Sequence, residues 1–260
     1  MSMITGARAY ITLPDPEPLG GGVVSVAQVI DTSGHELMGV QALTDACATA
    51  EEWSEWCDIS PTGRKLFEAN PEVVFGEPFA VYAGVSCDLQ KLDESEARAR
   101  NRLALGESRA VDQHIDAMLA VDADVIDLGG PMEIQAGIGA AEAFAATVYG
   151  GKPTLLIPRL YVQCACGHGA LHANLDGTLS TCSGSRVAPL TTAITVPVTV
   201  TEGTMYVTGQ ITLLRGPVNS FSVPQQVLDG GDFAPMRALA ERVYVPVFDC
   251  LVAKVEVTCS

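Results

Sequence analysis

The chain has 260 residues and 27.2 kDa, with 31 acidic residues against 15 basic ones, a net charge of -16 and a pI near 4.5. Hydrophobic types make up 48% and mean hydropathy is +0.25, which excludes a disordered chain; the acidic balance excludes a basic protein built to grip nucleic-acid phosphates. A chain of this length makes one large domain or two small ones.

Residues 1–40 are rich in Gly and Pro and read as an extended arm, with too few apolar residues for a core of their own. Pro14, Pro16 and Pro18 interrupt the opening, and no charged start with a long apolar stretch is present, so no signal peptide is expected. Within the arm, Tyr10 to Leu13 reads as a short strand, Leu19 to Gly22 as a flexible link and Val23 to Ile30 as a strand. Residues 41–57 place Leu43, Ala46, Cys47, Ala50, Trp53 and Cys57 at helical spacing, which predicts a helix stripe. Both tryptophans, Trp53 and Trp56, fall here, and two readings stand: local packing, or contact with a partner, where tryptophan is enriched. Ser60-Pro61-Thr62-Gly63 marks a turn with a hairpin-like excursion around it. Val73 to Ser86 alternates, with breaks, and predicts one or two strands.

The clearest helix starts near Asp93, where Asp93-x-x-Glu96 resembles a capping box. Ala99, Leu103, Ala110, Val111, Ile115 and Met118 share one face, and Glu94–Arg98 and Glu96–Arg100 are i,i+4 pairs on the other. The pattern runs to about Ala120, with Gly106 as a soft spot, and describes a spine on the order of 40 Å long. Residues 121–131 read as a loop, with Pro131 opening a second helix along Ile134, Ile138, Ala141, Ala145 and Val148. Gly150-Gly151 is expected to stop it. Thr154 to Val162 reads as a buried strand, followed by a Cys/Gly/His loop and a turn at Gly177 to Ser180. From Ala193 the chain reads as mostly β, through Ile194 to Val200, Met205 to Leu214 and a long strand from Val243 to Val257, with a short helix at Asp232 to Arg242. The terminal strand needs partners, and residues 79–86 and 205–214 are the candidates.

The chain has eight cysteines, and without an export signal reduced thiols are the expectation. Cys164, Cys166, His168 and Cys182 supply the residue types of a tetrahedral zinc site. Their C-x-C spacing is tighter than the usual knuckle and no second paired motif follows, so a plain Gly-rich loop is favoured. No nucleophile elbow, Walker loop or dinucleotide fingerprint is present, and His35, His114 and His172 are scattered. Asp122, Asp124 and Asp127 read as solvated loop acids, and no segment is apolar enough to span a bilayer. The sequence therefore predicts no cofactor, no metal and no enzyme activity.

An arm, a hairpin-like excursion, a long helix, an inserted α/β unit and a return to a long β-sheet is an order that resembles tailed-phage major capsid proteins of the Hong Kong 97 type, in a short, actinophage-like form. The residues that carry the likeness are Thr208-Gly209-Gln210-Ile211-Thr212, Leu239-Ala240-Glu241-Arg242 and Tyr244-Val245-Pro246-Val247-Phe248-Asp249. Pro78-Phe79-Ala80-Val81-Tyr82, Gly106-Glu107-Ser108-Arg109-Ala110, Leu155-Leu156-Ile157-Pro158-Arg159 and Asp176-Gly177-Thr178-Leu179 add to it. The resemblance covers residues 70–260. It implies an α+β fold with an N-terminal arm at 1–40 and an extended loop at 41–75. It implies a discontinuous peripheral domain at 76–130 and 201–260, with the spine helix at about 93–120, and an axial domain at 131–200. Trp53, Trp56, Arg64, Lys65 and Phe67 become the candidates for contact between subunits. Some family members cross-link through a Lys–Asn isopeptide bond; Lys65 is the one lysine in the presumed loop, and no acceptor or catalytic carboxylate stands out, so that chemistry is not carried over.

The expected function is a shell subunit that assembles with itself, as pentamers and hexamers, around double-stranded DNA in a virion built in the host cytoplasm. Separate scaffolding and decoration proteins are the implied partners, and no membrane is. The alternatives are an encapsulin-like compartment, or a small metal-binding α/β enzyme using Cys164, Cys166, His168 and Cys182. Removing residues 1–30 is expected to leave a soluble core that forms no regular shells.

Overall fold

A computed structural model describes residues 16–45, 47, 72–87, 92–192, 202–224 and 236–259, with backbone alone at 86–87, 92–93, 223–224 and 236. In chain order, a short helix α1 (Val23–Val26) leads into β1 (Gln28–Asp31) and a 3-10 turn (His35–Met38). Next come β2 (Val40–Thr44), β3 (Glu72–Gly76), β4 (Phe79–Cys87) and α2 (Leu92–Val121). Two short strands, β5 (Ile126–Asp127) and β6 (Met132–Glu133), precede α3 (Ile134–Val148). Then follow β7 (Thr154–Pro158), α4 (Arg159–Gly167), β8 (Leu171–Ala173), β9 (Leu179–Thr181) and β10 (Arg186–Leu190). The chain ends on β11 (Gly203–Thr208), β12 (Ile211–Arg215), β13 (Asn219–Pro224), β14 (Met236–Phe248) and β15 (Val252–Thr258).

The 30-residue α2 organises the molecule because its apolar positions fall every four residues. Ala99, Leu103, Val111, Ile115 and Leu119 are buried, with Ala110 and Met118 packed beside them. At 1.5 Å per residue the helix is about 45 Å long. It lies between two sheets. The first, of five strands, has β14 at its centre. Antiparallel β4 runs along one edge of β14, and antiparallel β12 and β13 follow one another along the other. Three residues, 216–218, stand opposite two on β14, 242 and 243, so the β12–β13 edge carries a bulge. β1 closes that side, parallel to β12. Ala238, Ala240 and Tyr244 of β14 face the helix and are buried with Leu103 and Ile115.

The second sheet has eight strands in the order β5-β15-β11-β7-β10-β9-β8, with β6 also on β15. Every residue of β7 is buried, because both faces of the strand are covered, which is why its sequence is a continuous apolar run. Leu156, Ala188, Leu190 and Tyr206 point to α2, while Leu155, Ile157, Val187 and Met205 pack with Ile134, Ile138 and Ala141 of α3. β11 and β15 belong to this sheet and continue, through Gly209-Gln210 and 249–251, into β12 and β14 of the first sheet. The two crossings are tied together by the Gly209 N–H donating to the Leu251 carbonyl (2.9 Å) and the Asp249 N–H donating to that of Gln210 (3.1 Å).

Several expectations change. The helix predicted for 232–242 is the first half of β14 from Met236 onward; residues 231–235 lie outside the described residues. Leu239-Ala240-Glu241-Arg242 favours helix locally, but strands on both sides satisfy its backbone and the alternate residues fill the core under α2, so tertiary context wins. The single strand expected from Val243 to Val257 and the one from Met205 to Leu214 each break in two where they change sheets. Val23 to Ile30 is a helical turn followed by a strand, and Thr154 to Val162 is a strand only to Pro158, beyond which α4 starts. The stripe predicted from residue 41 is strand β2 as far as Thr44, with 48–57 outside the described residues. Pro131 does not open α3; it precedes β6, in a cis Gly130–Pro131 peptide, and Glu133 is the N-cap. α3 ends at Val148 with extended Tyr149 as its cap, and neither Gly150 nor Gly151 adopts a positive φ. Asp93 lies inside α2 instead of preceding it. Among the described residues, four of the expected thiols form two disulfides, Cys47–Cys250 and Cys164–Cys259, because the fold brings residues 203 and 95 positions apart side by side, while Cys166 and Cys182 remain free thiols. The segments 10–13 and 193–200 lie outside the described residues.

Candidate inter-subunit surfaces

β2 and β3 form a separate antiparallel ribbon, with Gln41 opposite Phe75 and Leu43 opposite Val73. Alternation puts these four on one face and Val40, Ala42, Val74 and Gly76 on the other. The second face lies on β14. A Cβ on Gly76 would stand 2.7 Å from the Pro246 carbonyl oxygen and within 2.9 Å of the Val245 and Val247 side chains, so only glycine permits this approach. Among the described residues nothing covers the first face: Leu43 is 67% and Phe75 69% exposed, and Val73 is exposed too. Exposing three large apolar side chains side by side opposes solubility and marks a contact surface.

The ribbon's root is fastened to the sheet crossing. The Thr44 hydroxyl donates to Asp249 Oδ1, and Cys47 is bonded to Cys250. The Tyr149 hydroxyl donates to Asp249 Oδ2 (3.1 Å) and accepts from the Gln210 N–H (2.8 Å). Burial raises the pKa of that phenol, and the Asp249 carboxylate adds to the effect. Cys47, Glu72 and Cys250 stand close enough to suggest a metal site, but both sulfurs are spent in the disulfide and cannot serve as thiolate ligands.

The arm is held in a different way. Asp112, in the middle of α2, is fully buried. Its Oδ1 accepts the Val23 N–H (2.9 Å) and its Oδ2 the Thr191 N–H (3.1 Å). Burial raises its pKa, opposed by these two donors. Gly22, at φ 81°, is pressed so close that a Cβ would sit 2.6 Å from the carboxylate. Arg159 donates to the Gly20 carbonyl (2.8 Å) and the Thr191 hydroxyl (3.0 Å), and Ser108 to the Gly21 carbonyl (3.2 Å). Farther on, Arg215 forks onto both oxygens of Asp31 (2.6 and 3.1 Å). The segment from Gly20 to Asp31, expected to lack a core of its own, thus enters the core of this chain, with Val23 completely buried.

Trp53, Trp56, Arg64, Lys65 and Phe67 lie outside the described residues. The zinc alternative fails on geometry. Cys164 is bonded to Cys259, Cys166 shares its helix, His168 is the exposed cap of that helix, and Cys182 lies beyond β9 with its sulfur 3.1 Å from Nε2 of His172. His114 stacks on Phe79 with centroids 3.8 Å apart, and burial lowers its pKa, so it packs as an aromatic side chain. Sequence reasoning passed over Asp112, although the signal was there. An acid three and seven residues before Ile115 and Leu119 stands on the apolar stripe and must find donors. The ribbon face had no such signal, because Leu43 and Val73 are neighbours only once the excursion folds back.

The fold matches solved structures over nearly its whole length. A chain from Mycobacterium phage Adephagia covers 99% of this chain and 97% of its own, with a TM-score of 0.58 at 13% identity. One from Mycobacterium phage Bobi covers 99% and 97%, at 0.56 and 15%. The capsid of an empty GTA particle, computed with C5 symmetry, covers 98% and 96%, at 0.56 and 13%. No family model matches the sequence, and no curated protein matches it. At such identities the likeness is one of fold.

Proposed function

We propose that this chain, which has the Hong Kong 97-type capsid fold, is a major capsid protein that assembles with itself into the icosahedral shell of a tailed bacteriophage. The observation that carries the reading is the ribbon. It is anchored on one face and, among the described residues, bare and apolar on the other. A surface of that kind is stable only when another molecule covers it, and a closed homo-oligomer supplies one. The match to capsid chains over nearly the full length supports the same reading.

In this reading the function is geometric, and no residue is assigned a catalytic role. Residues 41–75 are the extended loop, and Trp53, Trp56, Arg64, Lys65 and Phe67 contact a neighbouring subunit. The peripheral domain, 76–130 with 201–260, is built on α2 and the five-stranded sheet, and the axial domain, 131–200, on α3, α4 and the eight-stranded sheet, with β11 and β15 shared between them. Pentamers and hexamers enclose double-stranded DNA, whose phosphates a wall of net charge -16 does not grip. Assembly takes place in the host cytoplasm, with separate scaffolding and decoration proteins as partners. No helix among the described residues is long and apolar enough to cross a membrane. Electron microscopy of the purified protein, alone and with a co-encoded scaffold, tests the proposal. Uniform closed shells are the expected result, and a discrete monomer or dimer under all assembly conditions overturns it.

A further inference from the structure

Between the arm and the β8–β9 hairpin lies a cleft of about 620 Å³, and beside it a second of about 530 Å³. They share Ser25, Asp176, Thr178 and Leu179 and form one trough. Lys152 and Arg186 line the first. Register places them together: Arg186 pairs with Thr154 on β7, two residues after Lys152, and the Arg186 N–H donates to the Pro153 carbonyl (3.2 Å). Both side chains are exposed, and neither forms an ion pair among the described residues. The one acid on the wall, Asp176, is engaged by its own turn, accepting from the Thr178 N–H (3.0 Å) and hydroxyl (2.7 Å). The second cleft adds the apolar walls of Val162, Val187 and Pro189. Two free cations beside an apolar slot, on a chain of net charge -16, make a receptor for an acidic, aromatic segment.

The chain contains such a segment. Glu51-Glu52-Trp53-Ser54-Glu55-Trp56-Cys57-Asp58 has four acids, both tryptophans and no basic residue. We propose that the Lys152–Arg186 cleft receives the segment Glu51–Asp58 of a second copy of this chain. The inference rests on the shell reading and names the site that the loop occupies. Reach permits it. Glu51 and Asp58 stand four and eleven residues beyond Cys47, so the segment reaches from about 14 Å to about 38 Å from that anchor, against a radius of gyration of about 18 Å for a globule of this size.

The test is a carbodiimide cross-link on shells grown from an equal mixture of 14N- and 15N-labelled protein, read by mass spectrometry and checked for shells by electron microscopy. The expected product is an amide between Lys152 and Glu51, Glu52, Glu55 or Asp58, about half of it in mixed-isotope pairs. Intact shells in which Lys152 links elsewhere, links only within one isotope, or does not link at all overturn this inference and leave the shell reading standing. Absence of shells overturns both. As a second measurement, the double variant Lys152→Glu/Arg186→Glu should keep its urea midpoint and lose assembly, and adding Glu52→Lys/Glu55→Lys should restore it. Normal shells from the double variant contradict the proposal.

Discussion

Asp112 offers the sharpest test of the packing described above. Its two oxygens each accept one backbone N–H, from Val23 and Thr191, in a place with no access to water. Asp112→Ala removes both acceptors. A buried N–H left without a partner costs about 1–3 kcal/mol, so the pair costs about 2–6 kcal/mol. Asp112→Asn keeps one acceptor and turns an amide NH2 toward the other donor, so it should lose about half as much. Locally, an opening cheaper by about 1–3 kcal/mol means amide exchange at Val23 and Thr191 that is faster by about 5- to 150-fold. Native-state hydrogen exchange reads this residue by residue, and urea unfolding reads the total. The pH dependence has a definite sign. The folded carboxyl has a raised pKa, so its contribution is fullest below the unfolded value of 3.8 and declines as pH rises toward the folded value. The gap between wild type and the non-titrating Asn variant should therefore narrow across that window. Unchanged protection of both amides in a folded Ala variant, or a gap that widens with pH, would refute the account of Asp112 as the clamp.

Arg242 Nη1 donates to both oxygens of Glu107 (3.0 and 3.1 Å), the two side chains are 19% and 17% exposed, and Arg242 Nε is buried without a partner among the described residues. Glu107→Gln should cost about 3 kcal/mol in urea, the low end for breaking a buried pair, whereas Glu107→Leu with Arg242→Met should cost less than that single change. Deleting residues 1–30 should lower the unfolding midpoint by more than deleting 1–18 does, since Val23 and β1 belong to the core. Equal midpoints for the two truncations would contradict this. Leu43→Ser with Phe75→Ser removes apolar side chains that are 67% and 69% exposed, so the midpoint should nearly hold while shells fail in electron microscopy. Subunits of charge -16 repel, and the Debye length falls to about 10 Å at 0.1 M salt, so light scattering should show faster assembly as salt is added.

How far the sequence discloses this molecule depends on how local each feature is. α2 is legible because its stripe repeats over 30 residues, and no strand pattern mimics that period. The pairing of the C-terminal strands with 79–87 and 203–215 is legible because long alternating segments must find edges. The first half of β14 is not, since Leu239 to Arg242 reads as helix until β4 and β13 are in place beside it. Nor are the crossings at Gly209 and Asp249, where apolar alternation continues through residues that pass between sheets. The disulfides join positions 203 and 95 residues apart, a relation that spacing does not encode. The candidate contact residues illustrate the same limit. Composition points to the tryptophans, while the bare face of Leu43, Val73 and Phe75 emerges only from register.

The paired crossings have a mechanical meaning. Two backbones, β11 into β12 and β15 into β14, run side by side from one sheet to the other, joined by two hydrogen bonds and flanked by the Cys47–Cys250 bond. A load that pulls the two sheets apart is carried along covalent chain and cannot be relieved by unzipping a ladder one rung at a time. Each of these links is only two or three residues long. In the proposed shell, these links are the places where a subunit would bend to fill positions of different angle.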